Sequence, residues 1–467
     1  MVTSETRGRS PQGSWTSRLA FILALSGAAV GLGNIWKFPY IAGVNGGGAF
    51  VLVYLVCVFA VGLPIMMSEI LIGRRGRRNP VATMALLGEE ERGNRNWILV
   101  GLLGIAGSFI ILSYYSVVAG WAVAYIFEGG SGDFVGASPA QIADIFGGLT
   151  GNWVTSAFWH TLFMGMTVFV VVRGVVEGLE RAVRILMPVL LGLLLLLLGY
   201  SILEGNFVEG LVFMFAPRFG ELTPTGVLSA LGHAFFTLSI GMGVVMAYGA
   251  YVPDNVSITA TSVAVVCMDT GIALITGLVI FPIVFANGLD PAEGPGLIFV
   301  TLPLAFGNIP GGTFIATVFF LLLTFAAWTS AISLIEPVVA WINESRGISR
   351  PAAAIGVGAA IWALGLLSVL SFNVLADVNF TWGTYFDSAD FLTSNITLPM
   401  GGFAIAIFAG WAMSRRSTSA ELRLANATGF RLWRFASRFI APAAVVLIFL
   451  NAIGLLPRVL AWLGLAG

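Results

Sequence analysis

The sequence predicts an all-α, polytopic membrane protein: an inverted five-helix repeat, spans 1–5 and 6–10, plus one extra span, with spans 1 and 6 unwound at mid-membrane. Three observations carry this. Of 467 residues, 58% are hydrophobic and only 10% charged, more apolar surface than a soluble core can bury behind so little polar cover. The apolar residues fall into eleven runs, each of a length to cross a bilayer core of roughly 30 Å, which needs about 20 residues per helix. Two of those runs, half a chain apart, are broken by glycine pairs with amide or hydroxyl side chains beside them.

The runs lie at about 18–44 (broken), 48–72, 97–127, 156–173, 182–203, 228–251 (broken), 259–287, 313–342, 352–372, 388–413 and 435–457. They make one transmembrane domain, with a first repeat at 18–203, a second at 228–413 and the extra span at 435–457. The polar, basic residues 1–18 lead straight into span 1, so no cleavable signal peptide is expected. Pro457, Arg458 and the short tail beyond leave no room for a twelfth span.

Sidedness follows from arginine in the short loops. Arg7, Arg9 and Arg18 precede span 1, and six arginines from Arg74 to Arg95 follow span 2. Arg173, Arg181 and Arg184 separate spans 4 and 5; Arg346 and Arg350 separate spans 8 and 9; six more, from Arg415 to Arg438, separate spans 10 and 11. The alternate loops hold Glu128, Asp133, Asp144, Glu204, Glu209, Asp290 and Glu293 against a single Arg218. The N-terminus is therefore expected in the cytoplasm and, with an odd span count, the C-terminus outside. Cys57 and Cys267 sit in apolar runs and form neither a disulfide framework nor a metal motif.

Span 1 reads ALSGAAVGLGNIWKFPY and span 6 reads AFFTLSIGMGVVMAY, so Gly31 and Gly33 match Gly241 and Gly243 if spans 1–5 and 6–10 are two copies of one unit. Five spans is an odd number, so the second copy enters the membrane inverted. Paired discontinuous helices in inverted repeats mark a midplane binding site. Unwound backbone leaves N–H and C=O groups that lipid cannot satisfy. A lone GxG would ordinarily mean close helix packing; two, at matched positions beside Asn34 and beside Thr237 and Ser239, point to a site. NGGGAF at 45–50 reads as a tight turn.

Polar groups at membrane depth are costly and mark function. Besides Asn34, Thr237 and Ser239, they are Glu69 in span 2, Asp269 in span 7, and Thr329 and Ser330 in span 8. Serine and threonine within helices often bond back to the preceding turn. A buried aspartate needs a cation, and with oxygen ligands from Asn34 and Thr237 the natural partner is sodium.

The motifs AVGLGNIWKFPY, NGGGAF, PIMMSEILIGR, SYYSVVAGW, AFFTLSIGMG and FVTLP, in this order and spacing from Trp15 to the end of span 10, resemble the neurotransmitter:sodium symporter family. The eleven-span count is similar to its bacterial branch. The resemblance implies a sodium-coupled amino-acid symporter working by alternating access, with two Na+ sites. The first would use the Ala29 carbonyl, Asn34, Thr237, Asp269 and the substrate carboxylate; the second, the carbonyls of Gly27, Val30 and Ala326 with the hydroxyls of Thr329 and Ser330. The substrate would meet Tyr115 and the amides near Leu32 and Gly33 through its carboxylate. Its amino group would meet carbonyls around Ala28, Phe236, Thr237 and Ser239, with Phe236 closing over it. Glu69 would brace the unwound part of span 6, and Lys37 with Asp390 would form the outer gate.

Three departures from the family pattern bear on mechanism. Asp269 replaces an amide, and the position one turn later, a glutamate in some relatives, is Ala273; Asp269 would supply that charge itself and make transport chloride-independent. Lys37 replaces an arginine and lacks its planar fork, so a looser gate is expected. Gln12 replaces an inner-gate arginine, leaving Glu344 without its partner unless Arg9 takes over.

Ala28 stands where amine-selective members carry an aspartate, which implies a ligand with a free carboxylate. The expected side-chain pocket of Ile111, Met242, Ala331 and Leu334 under Phe236 is apolar and would receive a charged side chain poorly. The predicted substrate is a hydrophobic L-amino acid, aromatic ones included. Beside membrane lipid no other partner is implied: no nucleic acid, and the oligomeric state is not legible. Short loops point to a prokaryotic cell membrane. A membrane sensor with the same pocket is the rival class, separated by sodium-dependent accumulation in liposomes. Proton coupling is a second alternative, since Asp269 could titrate. An intramembrane enzyme would need a nucleophile–base pair or a metal motif, and with no HExxH and the two histidines, His160 and His233, in different spans, an enzyme is not expected.

Overall fold

The structure, a computed structural model, describes residues 10–292, 296–424, 426–452 and 454–456; Arg9, Glu293, Pro457 and Arg458 lie outside the described residues. Among those described, the chain is helical throughout, without a β-strand; an isolated bridge joins Phe380 and Gly383.

Nine helices are long and apolar enough to cross a membrane, and a tenth span forms if Arg18–Ala29 and Gly33–Val44, bent by 50° at their break, are taken together. The eleventh of the predicted runs is span 6, interrupted so deeply that Pro224–Thr237 and Val244–Ala250 remain as separate helices. The continuous spans are Gly48–Gly76, Arg95–Ser131, Trp153–Val171, Val175–Glu204, Ile258–Ala286, Gly312–Arg346, Arg350–Leu370, Tyr385–Ala412 and Ala427–Asn451, numbered here as spans 2–5 and 7–11.

Two boundaries correct the sequence reading. Span 5 starts at Val175, not 182, and span 11 at Ala427, not 435. Arg181, Arg184, Arg431, Arg434 and Arg438 thus lie inside helices instead of loops. A hydropathy window trims such ends, whereas a helix tolerates arginines there because their stems lie along apolar surface and their heads reach the aqueous rim. Among the described residues, five shorter helices, Pro80–Arg92, Pro139–Gly151, Phe207–Phe215, Leu302–Gly307 and Arg415–Leu422, occupy connections read from sequence as loops. The turn at 45–47 forms as expected: Gly46 and Gly47 take φ of 76° and 67°, which only glycine enters without strain.

Spans 3 and 8 pack along each other, span 1 packs against spans 7 and 8, and the second half of span 6 lies on span 2. Span 8 is the most enclosed, with Phe319, Phe320, Leu323, Ala327 and Ile335 fully buried. The large apolar side chains left exposed, such as Leu203, Val208 and Phe158, lie on peripheral helices, where lipid is the natural solvent.

Candidate functional site

In span 1 the helix stops at Ala29, and Val30 turns extended with ψ of 108°. The freed amides are met locally: the Gly31 N–H donates to Asn34 Oδ1 at 3.0 Å, and the Leu32 N–H to the Tyr115 hydroxyl at 3.1 Å. In span 6 the chain unwinds over 238–243. Ser239 is one of three described non-glycine residues with positive φ, at 52°, and Gly241 and Gly243 follow at 85° and 75°. A β-carbon on Gly241 would lie 2.4 Å from the Leu398 carbonyl, so the unwound stretch lies directly on span 10. Glu69 accepts the Gly241 N–H at 2.6 Å, Ser239 Oγ donates to the Ala28 carbonyl at 2.8 Å, and Ser108 Oγ donates to the Met242 carbonyl at 2.6 Å. The two breaks therefore face each other and are stitched together.

Between them lies a narrow cavity with about 20 Å³ of free room, about enough for one water molecule. Its polar end is made by Gly31, Gly33, Tyr115 and Ser330 with the backbone of Ala28 and Ala29; its apolar end by Ile111, Met242 and Leu334, with Phe236 and Ser239 beside them. Of the residues named from sequence, Leu32, Thr237 and Ala331 do not line it: Leu32 reaches it only through its amide on Tyr115, Thr237 turns to Asp269, and Ala331 is enclosed in span 8. Gly31 does line it, as the sequence reading did not foresee; its paired glycine motif was the available signal.

Beside the cavity, Asp269 is completely buried. Asn34 Nδ2 donates to its Oδ1 at 2.8 Å, and Thr237 Oγ1 reaches both its oxygens at 3.1 Å. Among the described residues no ion pair reaches it, so a buried carboxylate faces only neutral donors. One detail differs from the ligand set drawn from sequence: Asn34 presents its nitrogen to Asp269 and its oxygen to Gly31. Rotating this amide would bring its oxygen beside the carboxylate, where a cation could take both.

The second predicted cluster also assembles. Ser330 Oγ lies 3.3 Å from the carbonyl of Gly27 and 3.0 Å from that of Val30, and Thr329 Oγ1 lies 3.0 Å from that of Ala326. Three carbonyls and two hydroxyls thus converge with no basic side chain among them, a donor set suited to a small hard cation.

Both ends of the cavity are shut. Phe236 separates it from a second hollow of about 310 Å³ that Lys37 and Asp390 line. Above the ring, Lys37 Nζ contacts both oxygens of Asp390, at 3.1 and 3.4 Å, and sits 4.4 Å from the Phe236 centroid. Lys37 thus engages the carboxylate, Ser394 at 3.3 Å and the ring together. Tyr114 adds a bond to Asp390 at 3.2 Å. On the opposite side Trp15 is buried and donates to the Tyr248 carbonyl at 3.1 Å. Glu344 is not left alone. Asn79 Nδ2 donates to it at 2.7 Å and Gln12 Nε2 at 3.3 Å, a neutral latch in place of an ion pair. Gln12 Oε1 in turn accepts from Arg350 at 2.9 Å.

Arg350 forks onto Glu336, at 3.0 and 2.5 Å, and the Glu336 side chain is fully buried. Removing one partner of such a pair leaves an uncompensated charge, typically at about 3–5 kcal/mol. Arg350→Ala is expected to lower the thermal unfolding temperature sharply in detergent, and Arg350→Ala with Glu336→Gln to recover part of the loss. Equal stability of the single variant and the parent protein would show the pair to be dispensable.

Comparison with known proteins places these features. The family model described as the sodium:neurotransmitter symporter family matches residues 12–134 and 151–459. A sodium-dependent transporter of Bacillus subtilis, YhdH, is 39% identical over 95% of this chain and 98% of its own, and a sodium-dependent transporter of Haemophilus influenzae is 31% identical over 96% and 99%. Among solved structures, MhsT in complex with L-phenylalanine superposes with a TM-score of 0.88 at 43% identity, covering 95% of this chain and 100% of that one.

Proposed function

The chain belongs to the sodium:neurotransmitter symporter family of sodium-dependent transporters, and on that premise we propose that it imports a hydrophobic L-amino acid, aromatic ones included, by alternating access. The observation that carries this reading is the two-ended cavity between the breaks. Open backbone and the Tyr115 hydroxyl suit a zwitterion at one end, and Ile111, Met242 and Leu334 suit an apolar side chain at the other. The match to a relative crystallised with L-phenylalanine supports the same substrate class.

In this reading the substrate carboxylate lies against the Gly31–Gly33 backbone and Tyr115. It completes a first sodium site made by the Ala29 carbonyl, Asn34, Thr237 and Asp269, with Asn34 rotated. Gly27, Val30, Ala326, Thr329 and Ser330 hold a second sodium. Because substrate is a ligand of the first ion, each favours binding of the other, a reciprocal coupling that lets inward sodium flow drive uptake. Asp269 provides the negative charge near that ion, which makes transport chloride-independent. The N-terminus faces the cytoplasm and the C-terminus the outside, so Phe236, Lys37 and Asp390 close the outer path, and Trp15, Gln12, Glu344 and Arg350 the inner one.

Uptake of labelled phenylalanine into proteoliposomes tests this, with a sodium, potassium or proton gradient imposed alone. Accumulation should require sodium, persist when gluconate replaces chloride, and be competed by leucine, tryptophan and tyrosine but not by glutamate or lysine. Accumulation driven by protons without sodium, or preference for a charged amino acid, would overturn it; binding without accumulation would make the protein a sensor.

A further inference from the structure

Another hollow, of about 420 Å³, lies away from the substrate site, where helix Arg415–Leu422 meets the start of span 11. Its lining holds four arginines, Arg415, Arg431, Arg434 and Arg438, with the rings of Phe430, Phe435 and Phe439, and no carboxylate. Among the described residues, none of these arginines is in an ion pair. Their contacts are to aromatic rings, backbone carbonyls and hydroxyls: Arg415 lies 5.7 Å from the Phe430 centroid, Arg434 Nη1 is 3.4 Å from Thr418 Oγ1, and Arg438 Nε donates to the Gly410 carbonyl at 2.6 Å.

Four like charges around one hollow repel one another, and none of the described carboxylates pairs with them. The same helix presents Leu432, Phe435 and Phe439 to the outside, at 64%, 55% and 49% exposure. Cationic heads interleaved with outward apolar rings match the chemistry of a phospholipid: a phosphate fits among the guanidiniums, which grip it through planar forks, and acyl chains lie along Phe435 and Phe439. Basic pockets beside membrane helices hold anionic headgroups by these forces.

We propose that this cavity is a binding site for one anionic phospholipid of the leaflet on the arginine-rich face. Arg415, Arg431 and Arg434 hold the phosphate, and Arg438, anchored to Gly410 and stacked on Trp411 at 4.8 Å, shapes the wall. The site is independent of which amino acid is carried.

Native mass spectrometry of the full-length protein tests it, in micelles doped equally with phosphatidylglycerol and phosphatidylcholine, with and without excess inorganic phosphate. Each arginine near an anionic lipid is worth about fivefold in affinity, so three together should favour phosphatidylglycerol by about a hundredfold. That preference should collapse in Arg415→Gln/Arg431→Gln/Arg434→Gln and persist in Arg346→Gln, a control on the same face. Equal retention of the two lipids by the parent protein would overturn the proposal without any variant. So would displacement of the lipid by inorganic phosphate alone, which would make this a free-anion site, and so would an undiminished preference in the triple variant.

Discussion

Asp269→Asn is expected to abolish sodium-driven accumulation at ordinary sodium concentrations while leaving the protein folded. The side chain is wholly buried and meets only the neutral Asn34 and Thr237, so the amide keeps the shape and loses the charge. Separating a buried charge from its counter-ion costs about 3–5 kcal/mol, so the half-maximal sodium concentration should rise by at least about a hundredfold. Uptake measured against sodium concentration, with elution profile and thermal unfolding as controls, checks this. Whatever uptake remains should now respond to chloride, as the parent protein's should not. An unchanged sodium dependence would remove Asp269 from the ion site.

Gly31→Ala should be nearly as damaging, for a steric reason. Its β-carbon would lie 2.4 Å from Ser330 Oγ and 2.6 Å from the Tyr115 hydroxyl oxygen, at the polar end of the cavity. The serine hydroxyl can swing away, but only by leaving the Gly27 and Val30 carbonyls; the tyrosine oxygen, at the tip of a rigid ring, moves only with the ring. Displacements of this size at a reacting or binding centre cost on the order of a hundredfold, here read as loss of phenylalanine binding by scintillation proximity. Gly271→Ala, where a β-carbon meets nothing within 4 Å, is the matched control and should bind as the parent does. Equal binding by Gly31→Ala would move the substrate away from the span 1 break.

Much of the site was legible because membrane depth makes polarity conspicuous. Asn34, Glu69, Asp269, Thr329 and Ser330 stand out in apolar runs, and all five are buried around the two breaks. Less legible was what depends on a partner distant in sequence. Gln12 looked like a missing charge until Asn79 and Asn343, far along the chain, proved to share the latch with it. Nothing in the segment around Lys37 announces that Phe236 and Ser394 converge on it. The arginines of span 11 were read as loop because a hydropathy average cannot see that one side of a helix faces water or headgroups.

The sequence by itself determined that this chain lives in lipid, where two apolar runs break and which buried oxygens are available, because the bilayer penalises every unpaired polar group and so writes its demands into composition and spacing. Tertiary structure decided how those oxygens group, which way the Asn34 amide points, how the cavity is covered on both sides, and where four arginines gather. The first three depend on side chains far apart in sequence meeting within a few ångströms, and the last on how one segment turns its arginines toward one hollow; packing sets both, and local sequence does not encode them.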